Sequence, residues 1–229
     1  MNYTKFIILS LLCIFGAGCS QDSKNKISVG VDLYHGKGWK GLIEGVEQLG
    51  LKPHLIDRPM ESKDMDLIGT LIISGIPIHE PHPLKEEEVA QIEKFVARGG
   101  NLIVCDQAWA WVCKVYGNKP IEKYPLNLIG KRLGFWITDK NVGAPTNIAQ
   151  TEITKGIKEI FRKDYAPSKI ELQAPDSVVL LRDAELQVVA GYFKYGRGQV
   201  VIYGHGAILP ENPMLFTNTL KFVTKKSKK

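Results

Sequence analysis

From residue 27 onward the apolar positions switch between two rhythms: short unbroken runs and stripes spaced by three and four. Residues 27–33 (ISVGVDL) read as a buried strand. Trp39, Leu42, Ile43, Val46 and Leu49 follow at helical spacing, with Gly50 as the stop. Residues 53–57 form a second short strand, and 67–74 (LIGTLIIS) a third, apolar throughout as a strand covered on both faces is. After a proline-rich loop over 76–83, residues 85–98 make a helix that is acidic in its first turn. It carries Val89, Ile92 and Val96 on one face and ends at Gly99-Gly100. Residues 101–105 are a fourth strand. Trp109, Val112, Cys113 and Tyr116 then recur at i, i+3, i+4 and i+7, predicting a helix over 107–116 with Trp109 in the core and Trp111 exposed on the other side. The second half is more mixed. It reads as a helix over 126–133, a strand over 135–138, a loop and short helix over 151–161, and strands at 169–172, 178–182, 186–195 and 199–204. Gly196-Arg197-Gly198 joins the last two as a late β-hairpin, and 213–223 closes the chain as a helix. Strands and helices alternating across short links predict a three-layer α/β sandwich with a mostly parallel sheet, as one domain over 27–223.

Ahead of this domain a charged start, Met1 and Lys5, precedes roughly ten apolar residues, the small residues Gly16-Ala17-Gly18, and Cys19. A membrane-spanning helix needs about twenty apolar residues, so this run is a signal-peptide core. The small residues before cysteine resemble a bacterial lipobox, with Gly16 where leucine is usual. The resemblance implies cleavage before Cys19 and lipidation of it. Residues 1–18 are then a signal peptide, 19–26 a polar tether and 224–229 a basic tail. The protein is expected to be exported and held in the cell envelope by lipid on Cys19, at the outer membrane in a Gram-negative host because Ser20 follows. An ordinary secretory signal would leave the same domain exported and soluble.

The formal net charge of +6 is an end effect: without Lys5, Lys225, Lys226, Lys228 and Lys229 the remainder carries +1. A near-neutral body gives no footprint for nucleic acid. With Cys13 in the signal and Cys19 as anchor, only Cys105 and Cys113 remain, too few for a disulfide framework.

Gly36-Lys37-Gly38-Trp39-Lys40-Gly41 matches G-x-G-x-x-G, and Asp57 lies about twenty residues on. Tyr34 and His35 separate the strand from the first glycine, Trp39 stands where pyrophosphate must approach, and an exported protein meets no nicotinamide pool. No nicotinamide or other cofactor is expected. His79-Glu80-Pro81-His82 is one residue short of the zincin spacing, and its prolines forbid the helix that would align two imidazoles, so no metal is expected there. Asp32, His35, Ser74, Asp106, Gln107 and His205 all fall at strand ends on one edge of the sheet, where open α/β sheets keep their sites. With Trp111 for stacking, they are the candidate ligand-binding residues.

Residues 99–111 (GGNLIVCDQAWAW) resemble a stretch found in channel-associated factors and in mucin-acting gluzincin peptidases, within an N-terminal domain of class I glutamine-amidotransferase-like fold. Residues 195–206 (YGRGQVVIYGHG) resemble the hairpin of the same domains, and 212–223 their closing helix. Residues 151–157 look like a loop of trehalose-utilisation-type proteins, with Glu152 in place of proline. The resemblance implies a flavodoxin/amidotransferase-like sandwich in which Cys105 takes the place of the nucleophile at the strand-to-helix elbow and His205 that of its base. The chain departs from that pattern where chemistry needs it: Ile103 and Gln107 replace the elbow glycines, and Gly206-Ala207 replace the orienting carboxylate. The expected function is a lipid-anchored binding or scaffold module recognising a glycan, an envelope component or a protein. The alternative is an envelope hydrolase or amidase using Cys105 and His205.

Overall fold

The computed structural model describes residues 28–37, 40–160 and 166–225; the signal, Cys19, the tether and the last four residues lie outside it. Among the described residues ten strands and six α-helices alternate as far as α4, after which α5 is followed by six strands in succession: β1 (Ser28–Asp32), α1 (Lys40–Gln48), β2 (Lys52–Ile56), α2 (Ser62–Leu67), β3 (Thr70–Ser74), α3 (Glu86–Ala97), β4 (Asn101–Cys105), α4 (Trp109–Val112), α5 (Pro125–Leu133), β5 (Phe135–Asn141), β6 (Asn147–Ile148), β7 (Ser168–Leu172), β8 (Val178–Arg182), β9 (Val188–Tyr195), β10 (Gly198–Tyr203) and α6 (Pro213–Thr224). Eight strands form one sheet in the order β2-β1-β3-β4-β10-β9-β8-β6, and β5 and β7 pair separately.

The pleat sends alternate residues to two cores. Leu102 and Val104 of β4 and Val200 and Ile202 of β10 face one layer, with Val89, Ile92 and Val96 of α3 and Leu126 and Ile129 of α5. Ile103, Cys105, Val201 and Tyr203 face the other, with Leu42 and Val46 of α1 and Leu215, Phe216 and Leu220 of α6. β3 is buried along its whole length, as its unbroken apolar run requires.

Four expectations are corrected. The sheet is mixed, not mostly parallel. β2, β1, β3, β4 and β10 run parallel, but β9, β8 and β6 are laid on antiparallel. Parallel strands need a crossover of a dozen or more residues. The link between β8 and β9 is a tight turn in which Asp183 Oδ1 accepts the Gln187 N–H at 2.8 Å and Leu186 adopts φ +64, so the strands must fold back. Second, Leu67 ends a helix rather than starting a strand: Asp64 accepts the Glu61 N–H (2.9 Å) and holds Arg58 through both carboxylate oxygens (2.9 Å each), which opens α2. Third, the helix expected over 107–116 is one turn long. Cys113 leaves helical geometry at ψ 127, and its carbonyl then accepts the N–H groups of Tyr116, Gly117 and Asn118 in a compact turn. Among the described residues of 151–161 there are turns but no helix.

Candidate functional site

The strand ends are in register: Ser74, Cys105 and Tyr203 lie side by side across β3, β4 and β10. The edge therefore collects the expected residues, but it directs most of them inward. Asp32, His35, Ser74 and Asp106 are all buried. Ser74 Oγ donates to the Cys105 carbonyl at 2.8 Å. Gln107 Oε1 accepts the Gly206 N–H at 3.2 Å, joining the loops after β4 and β10.

The glycine loop after β1 closes on the protein itself. A Cβ at Gly36 would stand 2.2 Å from the Ser74 carbonyl oxygen, and Lys37 N–H donates to the Gly75 carbonyl at 3.0 Å. Glycine is required at residue 36 because backbone, not a phosphate, fills the space beside it. Asp32 Oδ1 accepts the N–H groups of Tyr34 and His35 (3.0 Å each), and Asp32 Oδ2 lies 3.0 Å from His35 Nδ1. His35 Nε2 is 3.4 Å from Glu88 Oε1, within ion-pair range though not in hydrogen-bond geometry. Burial alone would push this imidazole down; the Asp32 hydrogen bond and charge, then Glu88, outweigh it and hold it above its ordinary value. Glu88 also accepts the N–H groups of Met60 (2.8 Å) and Lys85 (3.0 Å), so the buried His35 ring and its two carboxylates tie the β1 loop to the loop before α2 and to the start of α3.

Asp106 is a second inward node. Its Oδ2 accepts the Ile76 N–H (2.8 Å) and the Tyr124 hydroxyl (2.7 Å), and its Oδ1 the Gln107 N–H (2.9 Å). Burial pushes the carboxyl up to about 6 in spite of these three donors.

The Cys105–His205 pair lacks the features of a nucleophile and its base. Cys105 is wholly buried in the layer beneath α6, and burial, then the Asp106 charge, push its thiol well above the ordinary range. A reactive cysteine needs access and a depressed thiol. His205 is half-buried, and its Nδ1 accepts the Ala207 N–H at 3.1 Å. In the neutral ring that contact leaves the proton on Nε2.

Trp111 is corrected: it is buried, its Nε1 donates to the Pro120 carbonyl at 3.0 Å, and Lys119 Nζ stands 4.5 Å over its ring. Trp109 is the half-buried one, with its ring edge-to-face against Tyr116 at 6.0 Å. The helical periodicity inverted the two because α4 stops before that period is set. Ser168 Oγ fixes the start of α4 by accepting the N–H groups of Ala108 (2.9 Å) and Trp109 (3.1 Å). His82 stacks on Tyr34 at 4.1 Å, and no cluster that could hold a metal ion occurs among the described residues.

Glu88, Tyr124 and Ser168 were not legible as parts of this edge. Glu88 looked like any first-turn acid, and nothing local marks it as 3% exposed. Outward-facing groups come from elsewhere: Val115 at 82% and Tyr116 at 51% exposure on the compact turn after α4, and a cavity of about 320 Å³ bordered by Ile157, Glu211 and Met214 at the start of α6.

Comparisons with known proteins agree with the fold. Residues 44–152 match the family model TCAF_N, described as TRPM8, N-terminal domain; the 99–111 stretch lies inside the match, the late hairpin and closing helix beyond it. TRPM8 channel-associated factor 1 of Pongo abelii is 24% identical over 172 residues, covering 66% of this chain and 18% of its own length. The chain thus spans less than a fifth of that relative. Among solved structures, the mmIFT52 N-terminal domain superposes with a TM-score of 0.65 at 11% identity, over 87% of this chain and 98% of its own. A GMP synthase-like protein of Thermoplasma acidophilum does so with a TM-score of 0.58 at 12% identity, over 87% and 95%. These likenesses bear on the fold, an amidotransferase-like α/β sandwich.

Proposed function

We propose that this protein is a lipid-anchored, exported binding or scaffold module whose ligand is another protein of the cell envelope. One observation carries the reading. The strand-end edge, where an enzyme of this fold would hold its chemistry, uses Asp32, His35, Ser74, Asp106 and Gln107 to join its own loops. What it offers outward is apolar and shaped: the Val115–Tyr116 turn, braced by three N–H groups on the Cys113 carbonyl, and the cavity beside Met214. Exposed aromatic and aliphatic side chains on a rigid support suit a protein partner better than a glycan, which calls for polar groups around a stacking ring. The curated relative is named for association with a channel; carried over to this chain, that favours a protein partner set in or at a membrane, within reach of a lipid on Cys19.

A photo-crosslinking residue in place of Tyr116 in the full chain tests this in cells. A discrete protein adduct is expected at Tyr116, lost when Val115→Asp is added and not formed from the exposed Leu186. Equal adducts from both positions, or an adduct indifferent to Val115→Asp, would overturn the assignment.

A further inference from the structure

The opposite edge of the sheet gathers the start of β1 and the end of α6. Ser28, at the start of β1, accepts the Gly69 N–H on its carbonyl (3.0 Å), and Gly69 in turn accepts the Asn101 N–H (3.0 Å). Asn101 Nδ2 donates to the Val223 carbonyl in the last turn of α6 at 2.9 Å. Ser28, where the described domain begins, and Val223, in the last turn of α6, therefore sit in one row. Basic side chains crowd it. Lys52 pairs in register with Ser28 and is exposed. Arg197 sits at the hairpin tip, its Nη2 donating to the Arg98 carbonyl at 2.9 Å. Exposed Lys221 and Lys225 end α6. Among the described acids near these side chains, Asp66 is paired with Arg98 (2.8 Å) and Glu152 with Lys225 (3.0 Å). Amid these charges Leu67 is 57% exposed, its carbonyl held by the Ser28 hydroxyl.

We propose that this edge is a membrane-docking face that binds anionic lipid head groups, with Leu67 entering the interface. It rests on the anchored reading in one respect: lipid on Cys19 holds the edge close to a bilayer. Cys19 and Ser28 are nine links apart in the sequence, which reach at most about 32 Å when fully extended. The edge that the tether joins is the one a bilayer meets, and a surplus of lysine and arginine around one apolar side chain is what a negatively charged interface attracts. The strand ends, with Val115 and Tyr116, then point away from the membrane, free for a partner.

The test uses the full chain carrying Cys113→Ser, purified and reconstituted on phosphatidylcholine vesicles with or without a third of phosphatidylglycerol. Leu67→Cys and Val115→Cys are compared for reaction with a membrane-impermeant maleimide, each relative to its own rate in detergent. On phosphatidylglycerol vesicles Leu67→Cys is expected to slow by roughly fivefold or more, the weight of one basic residue at such a surface, while Val115→Cys keeps its rate. Lys52→Glu with Lys221→Glu should abolish the slowing. Shielding of Leu67→Cys that ignores phosphatidylglycerol, or shielding of Val115→Cys instead, overturns the proposal. Flotation of Cys19→Ala reports the anchor separately. If it floats as well as the parent chain, the lipid reading falls while the labelling still tests the edge. If no chain binds phosphatidylglycerol vesicles even at low salt, both fall.

Discussion

Removing His35 would leave Asp32 and Glu88 in a buried space with no cation between them. His35→Ala is therefore expected to destabilise the domain by about 3–5 kcal/mol in denaturant titration, the size seen when one partner of a buried pair is lost. The same group sets a pH dependence. Its folded pKa is raised, so its stabilisation is complete below the ordinary value of 6.5 and fades as pH rises through the folded value. Asp106 acts in the same direction: raised from 3.8 to about 6, it favours the fold while protonated, and that contribution is lost progressively as pH rises from 3.8 to about 6. The whole shift corresponds to about 3 kcal/mol, of which roughly 1 kcal/mol is lost above about pH 5. Unfolding free energy should accordingly be lower near about pH 8 than near about pH 5, and Asp106→Asn should narrow the difference. A profile that rises with pH over that window would contradict both assignments. For Cys105, fully buried with a raised thiol, iodoacetamide at neutral pH should modify only Cys113 of the two in the folded domain, as peptide mapping would read.

Among the elements, α4 depends most on a residue far away in sequence. Ser168, at the start of β7, satisfies two N–H groups that a one-turn helix cannot satisfy itself. Ser168→Ala strands both in a buried place and should cost about 1–3 kcal/mol, with Trp109 fluorescence shifting as its ring loosens. This shows where legibility ended at this scale. Strands β1, β3, β4 and β10 were readable because an apolar run covered on both faces is a local signal, and so was α3 with its acidic start and glycine stop. The extent of α4 was not, because Trp109, Val112 and Tyr116 mimic a helical stripe while the turn at Cys113 and the Ser168 cap decide its length. The pairing of β8 with β9 was missed for a related reason: each strand was visible, but their direction depends on the short turn at Asp183.

For the whole molecule, the anchored reading makes a direct prediction. Cys19→Ala should move the protein from the membrane fraction to the soluble exported fraction without changing its unfolding midpoint, since Cys19 precedes the folded domain. An unchanged membrane fraction would remove the anchor and leave the fold intact. The residues by themselves determined the alternation of strands and helices, the two-faced burial of the central strands, the late hairpin and the gathering of chemistry-bearing residues at one edge. Each follows from periodicity or from strand direction, which neighbours in sequence encode. Only the tertiary structure decided that those residues turn inward, that three strands are laid on the sheet antiparallel, and that the start of β1 and the end of α6 meet at the other edge. Those outcomes rest on contacts between residues far apart in the chain, such as His35 with Glu88 or Asn101 with Val223. A buried carboxylate and an exposed one have the same letter in a sequence, and packing alone separates them.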